Sequence, residues 1–235
     1  MIVPRKPRPI QPARGRRGRT AYRERAPALL YFAPMKVAGF VTAGGRSSRM
    51  GRDKAWLPVG GRSMIERAID ALEPVSESVS VIAGGDEYLR LGHPVIKDAN
   101  PGIGPIEAVR TALANSASSH AVLLGCDLPF VTPELLSFLI DLSEGFQVVV
   151  PVGKDLRPEP LCAVYSTRAL AAVNEMIARG ERTVRLLFEH VPTRFVRFGE
   201  IEHLAGSALF FENINTPGEY ERVLDLAGGG SREAR

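Results

Sequence analysis

The chain has 235 residues, long enough for one large domain with a sizeable core, and its 45% hydrophobic and 24% charged residues exclude a low-complexity or collagen-like chain. The formal charge of +4 is unevenly spread: nine of the 30 Lys/Arg and one of the 26 Asp/Glu fall in residues 1–34 (net +8), leaving 21 basic and 25 acidic residues (net −4) in the remainder. No run approaches the ~18–20 apolar residues of a membrane span, and two cysteines, Cys126 and Cys162, offer neither a disulfide framework nor metal-ligand spacing, which fits a reducing cytoplasm.

Residues 1–34 carry Arg5-Lys6-Pro7-Arg8-Pro9 and Arg14-Gly15-Arg16-Arg17-Gly18-Arg19. Proline, glycine and arginine without apolar periodicity cannot build a core, so a disordered basic extension is expected. Clustered arginines suit a nucleic-acid-binding arm, but aromatic interleaving is thin (Tyr22, Tyr31-Phe32). The acid-poor, Arg-rich composition suits a targeting peptide, but serines are few and no amphipathic helix is evident. The preferred expectation is that translation starts at Met35, just before the first strand, and that neither nucleic acid nor a membrane is a partner. A nucleotide-handling domain is expected over 35–226, with a flexible tail over 227–235 that begins near Gly228-Gly229-Gly230-Ser231.

Val37–Thr42 reads as a short buried strand. It runs into Ala43-Gly44-Gly45-Arg46-Ser47-Ser48-Arg49-Met50-Gly51-Arg52-Asp53-Lys54, a glycine turn holding three arginines and a lysine. Such a turn can lay backbone N–H groups along a polyphosphate while the cations neutralise it. It is neither a Walker loop, since Gly51 is followed by Arg52-Asp53-Lys54, nor a G-x-G-x-x-G. A helix-like segment follows from Ser63 to Leu72. Ser78–Ala83 and Pro94–Lys97 are extended, Pro105–Asn115 is helical by spacing (Ile106, Val109, Leu113), and Ala121–Gly125 is apolar. Pro133–Leu142 is helical, and Phe146–Val152 is apolar again. This β-then-α alternation argues for a mostly parallel sheet covered on both faces, with ligands at the carboxyl ends of its strands.

Two strand exits stand out. Asp127, in Cys126-Asp127-Leu128-Pro129, is a carboxylate where an apolar strand stops; it suits an oxygen ligand for Mg²⁺, or equally a turn-forming aspartate. Asp98, in Asp98-Ala99-Asn100-Pro101-Gly102-Ile103-Gly104-Pro105, precedes a loop in which glycine would allow close approach to a base or ribose, or simply a crossover. Asn213-Ile214-Asn215 puts two amides on one face of an extended segment, ahead of a helix capped by Thr216 with Pro217 at its first position. Glu159 reads as a bordering loop acid, either substrate-facing or, more often for such a residue, merely exposed. His93, His120, His190 and His203 have no ligand spacing, and the cysteines read as small buried residues.

Together these pieces resemble the molybdenum cofactor guanylyltransferases, within the nucleotide-diphospho-sugar-transferase-like superfamily. The first motif is similar to that family's Leu-Ala-Gly-Gly-x-Ser-x-Arg-Met-Gly-x-Asp-Lys, with Thr42 in the leucine place. Asp98 with Gly104-Pro105, Gly125-Cys126-Asp127-Leu128-Pro129, Arg157-Pro158-Glu159-Pro160-Leu161-Cys162-Ala163-Val164-Tyr165 and Asn213-Ile214-Asn215-Thr216-Pro217 resemble its later motifs. The sequence departs from the pattern at Glu107 and Ala108, where small residues and glycine are usual, and at Gly84-Gly85, where some members carry asparagine.

The resemblance implies a Rossmann-like three-layer α/β sandwich of the nucleotide-diphospho-sugar-transferase type. It also implies transfer of GMP from GTP to molybdenum-molybdopterin, with release of pyrophosphate, in the cytoplasm and alongside other molybdenum cofactor biosynthesis proteins. Under it, Thr42, Ala43, Gly44, Gly45, Lys54, Asp98 and Asp127 bind the nucleotide. Arg49, Lys54 and Asp127 are catalytic, Asp127 holds Mg²⁺, and Asn213 and Asn215 contact the pterin. A phosphate nucleophile is already ionised at neutral pH, so no general base is required. Two other readings are a nucleotidyltransferase for another base or acceptor (a cytidylyltransferase for the same pterin, or a sugar-phosphate enzyme) and a non-catalytic nucleotide- or nucleic-acid-binding protein.

Overall fold

A computed structural model describes residues 35–43, 53–97 and 103–229. The basic extension, Gly44, Gly45, Arg49, Asp98 and the last six residues lie outside the described residues.

The apolar runs become a single seven-stranded sheet. Its centre is β1 (Val37–Thr42), paired in parallel with β4 (Ser78–Ile82) on one side and β6 (His120–Gly125) on the other. β5 (Val95–Ile96) extends the parallel set beyond β4. On the far side, β8 (Cys162–Ser166) is antiparallel to both β6 and β7 (Val148–Val152), and β9 (Thr193–Arg197) lies parallel to β7. The sheet is therefore mostly parallel, as the alternation predicts, with β8 alone running against it among the described residues. A two-stranded hairpin, β2 (Pro58–Val59) with β3 (Arg62–Ser63), stands apart from the sheet.

Alternate residues of each central strand enter opposite cores, the period-2 rule at work. Val37, Val41, Val81, Val122 and Leu124 pack with Ile65, Leu72, Leu135 and Leu139 from α1 (Met64–Leu72) and α3 (Pro133–Asp141). Phe40, Ile82, Leu123 and Val150 pack with Ile106, Val109, Val173 and Leu187 from α2 (Pro105–Asn115), α4 (Leu170–Ala178) and α5 (Val184–His190). Two helical layers enclose one sheet, which explains why β1 and β6 read as continuous apolar runs. Ser63 is the cap of α1, not its first residue: its side chain accepts from the Glu66 amide, and Glu66 accepts from the Ser63 amide at 2.8 Å. At Gly39 a Cβ would sit 2.8 Å from Ser76 Oγ and 3.3 Å from Leu72 Cβ, so the end of α1 packs on bare backbone of β1.

Beyond β9 come a short α6 (Phe198–Ile201) and α7 (Pro217–Gly229). α7 runs three residues into the expected tail. Among the described residues no helix is long and apolar enough to cross a membrane.

Candidate functional site

β1 and β6 end side by side, with Thr42 in register with Gly125 and the Cys126 amide donating to the Thr42 carbonyl at 3.1 Å. The chain leaves β1 toward β4 on one side, and β6 on the other side leads away from it toward β8 and β7, so the two strand ends flank a crevice at a topological switch point. Ala43 is buried and donates its amide to Ile82 O at 2.9 Å. The chain leaves the described structure after Ala43 and resumes at Asp53, so both ends of the glycine turn are fixed at this crevice.

Asp53 caps a short 3₁₀ turn, Lys54–Trp56: its Oδ1 accepts from the Ala55 amide at 3.0 Å. Its Oδ2 accepts from the Tyr88 hydroxyl. Tyr88 is 2% exposed and stacks on Trp56 at 5.4 Å, and the Arg90 guanidinium lies over the indole at 3.6 Å. Burial, reinforced by Asp53, pushes the Tyr88 phenol far upward, so it stays a donor. No sequence signal ties Tyr88 to Asp53, 35 positions away.

The braced turn projects Lys54 across the crevice. Its Nζ donates to Asp127 Oδ2 at 2.9 Å, Asn215 Oδ1 at 2.8 Å and Ile214 O at 3.2 Å. An ammonium has three N–H donors, so all are engaged. The Lys54 and Asp127 side chains are 15% and 19% exposed, shielded but open on one side.

Asp127 lies on the turn leaving β6, where the Leu128 amide donates to Gly125 O at 3.2 Å. Gly125 leaves room for that carboxylate where it stands: a Cβ on it would sit 2.5 Å from Asp127 Oδ1. Among the described residues no group of three or more His, Cys, Asp or Glu forms a metal cage. Asp127 is a single carboxylate, and that donor set fits a divalent cation that takes its other ligands from phosphate and water.

The alternation in Asn213-Ile214-Asn215 holds. Ile214 is fully buried with Leu57, Val59, Met64 and Val223, and its amide donates to Asp127 O at 3.1 Å. Asn213 Nδ2 donates to Glu159 Oε2 at 3.3 Å, while Asn215 accepts from Lys54. α7 begins as its sequence predicts: Thr216 Oγ1 accepts from the Glu219 amide at 3.3 Å, and Glu219 Oε2 accepts from the amides of Asn215 and Thr216 at 2.7 and 2.9 Å. These bonds hold the Glu219 carboxyl below the ordinary range.

Glu159 is not the exposed loop acid expected. Burial pushes its carboxyl upward; the Asn213 bond works against that shift and the negative charge of Asp127 with it. Glu107 is 1% exposed on the first turn of α2 and pairs with Arg110, its Oε2 accepting from Arg110 Nε at 2.9 Å. Cys126 and Cys162 are buried, as expected.

Residues 39–194 match the MobA-like NTP transferase domain. The chain is 36% identical over 195 residues to a probable molybdenum cofactor guanylyltransferase of Pelotomaculum thermopropionicum, spanning 82% of this chain and 94% of that one. Molybdopterin-guanine dinucleotide biosynthesis protein A of Archaeoglobus fulgidus superposes with a TM-score of 0.70 at 23% identity, over 82% of this chain and 99% of that one. 2-C-methyl-D-erythritol 4-phosphate cytidylyltransferase of Thermus thermophilus superposes at 0.62 with 19% identity, over 83% and 100%. The two structures share the fold.

Proposed function

The chain belongs to the MobA-like NTP transferase family, and on that premise we propose that it transfers GMP from GTP to molybdenum-molybdopterin in the cytoplasm. The observation that carries this reading is the meeting of Lys54 and Asp127 at 2.9 Å, beside the strand end from which the glycine turn departs.

In this reading Thr42 and Ala43 deliver the chain into the turn, where Gly44 and Gly45 let backbone wrap the nucleotide. Arg49 and Lys54 hold the β- and γ-phosphates and stabilise the departing pyrophosphate. Asp98 contacts the guanosine. An oxygen of the pterin's terminal phosphate forms the new bond to the α-phosphorus as the bond to the bridging oxygen breaks. Asp127 holds Mg²⁺, which supplies Lewis-acid neutralisation of phosphate charge when bound. Catalysis then rests on positioning: Asn215 and the Ile214 carbonyl fix the direction from which Lys54 reaches the crevice. Asn213 and Asn215 stand where the acceptor side of the site begins. Other molybdenum cofactor biosynthesis proteins would deliver the labile acceptor.

The test is pyrophosphate release with GTP, CTP and ATP, each with and without molybdopterin. Release that requires molybdopterin and Mg²⁺ and prefers GTP supports the proposal. Equal or better turnover with CTP would overturn the guanine assignment. No release with any nucleotide would overturn the transfer reaction.

A further inference from the structure

Lys54 and a divalent cation have claims on the same carboxylate. The ammonium of Lys54 stands 2.9 Å from Asp127 Oδ2, so the negative charge at the end of β6 already faces a positive one. The two charges cancel. A divalent cation brought to Asp127 meets no net negative charge in this pair, and Lys54 repels it across the shared carboxylate.

The neighbouring acids do not make up the difference. Among the described residues no three His, Cys, Asp or Glu gather to hold a metal. Asp53 is committed to the Ala55 amide and the Tyr88 hydroxyl. Glu159 accepts from Asn213, and burial pushes it toward its neutral form. A polyphosphate does make it up, because its several negative charges can serve an ammonium and a metal together. Lys54 is placed to respond. Besides Asp127 it donates to two neutral acceptors, Asn215 Oδ1 at 2.8 Å and Ile214 O at 3.2 Å. Those acceptors keep two of its three N–H groups bonded when the third turns from Asp127 to a phosphate oxygen.

We propose that Lys54 gates Asp127 by charge: it holds off a free divalent cation, and a polyphosphate opens the carboxylate by drawing the ammonium away, so that metal and nucleotide enter together. This rests on the transfer reading above. The coupling runs both ways: the polyphosphate raises metal affinity, and the metal raises polyphosphate affinity by the same factor.

The experiment is titration of the full chain with Mn²⁺ alone, without nucleotide, with the free ion followed by electron paramagnetic resonance. Lys54→Gln removes the charge and keeps an N–H donor, whereas Lys54→Arg keeps the charge. Lys54→Gln is expected to bind Mn²⁺ at least about tenfold more tightly than wild type, and Lys54→Arg within about threefold of it. Adding Asp127→Asn to Lys54→Gln is expected to abolish the gain. A folded Lys54→Gln chain that binds Mn²⁺ no more tightly than wild type would overturn the gate, as would a gain that survives Asp127→Asn. The wild-type chain supplies a second reading: Mn²⁺ at saturation is expected to speed acetylation of Lys54, followed by peptide mass, and an unchanged or slower rate would also overturn the gate. Tighter Mn²⁺ binding in Lys54→Gln, with no pyrophosphate release from GTP by the wild-type chain, keeps the gate and overturns the transfer reaction. Wild-type release without that gain does the reverse.

Discussion

The ammonium of Lys54 stands 2.9 Å from the carboxylate of Asp127, a residue 73 positions further along the chain. Lys54 engages three acceptors, so its loss leaves Asp127, Ile214 O and Asn215 short of a donor in a shielded place. Lys54→Ala is expected to weaken triphosphate binding and slow turnover by on the order of a few kcal/mol in total. Asp127→Asn is expected to lose Mg²⁺-dependent turnover by about 100-fold or more while its circular dichroism stays native. Steady-state kinetics of both variants check this; near-wild-type constants in either one reject its assigned role.

Gly125→Ala separates geometry from folding. The added Cβ has no backbone obstacle and meets chiefly the Asp127 carboxylate, at 2.5 Å. The carboxylate rotates away, at a stability cost of about 1 kcal/mol. Turnover is expected to fall by more than about tenfold. Equal losses measured by thermal unfolding and by kcat would contradict that separation.

Tyr88→Phe keeps the stack on Trp56 and removes only the hydroxyl that Asp53 accepts from. With Asp53 released on one side, the turn carrying Lys54 loosens. The expected result is a rise of about five- to tenfold in KM for GTP, worth about 1 kcal/mol, with kcat changed less. A lower melting temperature with an unaltered KM would show that the tyrosine merely supports the fold.

Glu159 sets a pH dependence of stability. Its folded pKa is raised by burial, so the native protein retains a proton over a window where the unfolded chain has released it. The stability this group contributes is complete below the ordinary glutamate range and is lost as pH rises through the folded value. Glu159→Gln removes that slope while still accepting from Asn213. Melting temperatures followed from about pH 4 to about pH 8 are expected to show the variant gaining on wild type as pH rises. Parallel curves would refute it.

Most of the sheet was legible in the chain because buried parallel strands are written as apolar runs: Val37–Thr42 and Ala121–Gly125 needed no further information. The reversal at β8 was not legible, because Cys162–Ser166 is as apolar as its neighbours and direction leaves no mark on composition. Gly60 and Gly61, both at positive φ, form the hairpin turn between β2 and β3, and the Gly-Gly pair is the sequence signal for it. In the candidate site, Asp127 is marked because it follows an apolar run and Lys54 because it closes the basic glycine turn. The braces are not: Tyr88, Trp56 and Arg90 reach Asp53 and one another through tertiary packing, which spacing does not encode. Glu159 is hidden from sequence reasoning for the same reason, since a loop acid becomes shielded only when Asn213 arrives from 54 positions away.

Asn213, Ile214 and Asn215 form one continuous stretch of backbone that bonds in turn to Glu159, Asp127 and Lys54. The middle residue is locked in the interior and its amide is pinned to Asp127. Glu159, Asp127 and Lys54, far apart in the chain, thereby hang on a single strut, and a shift of backbone at Ile214 would disturb all three together.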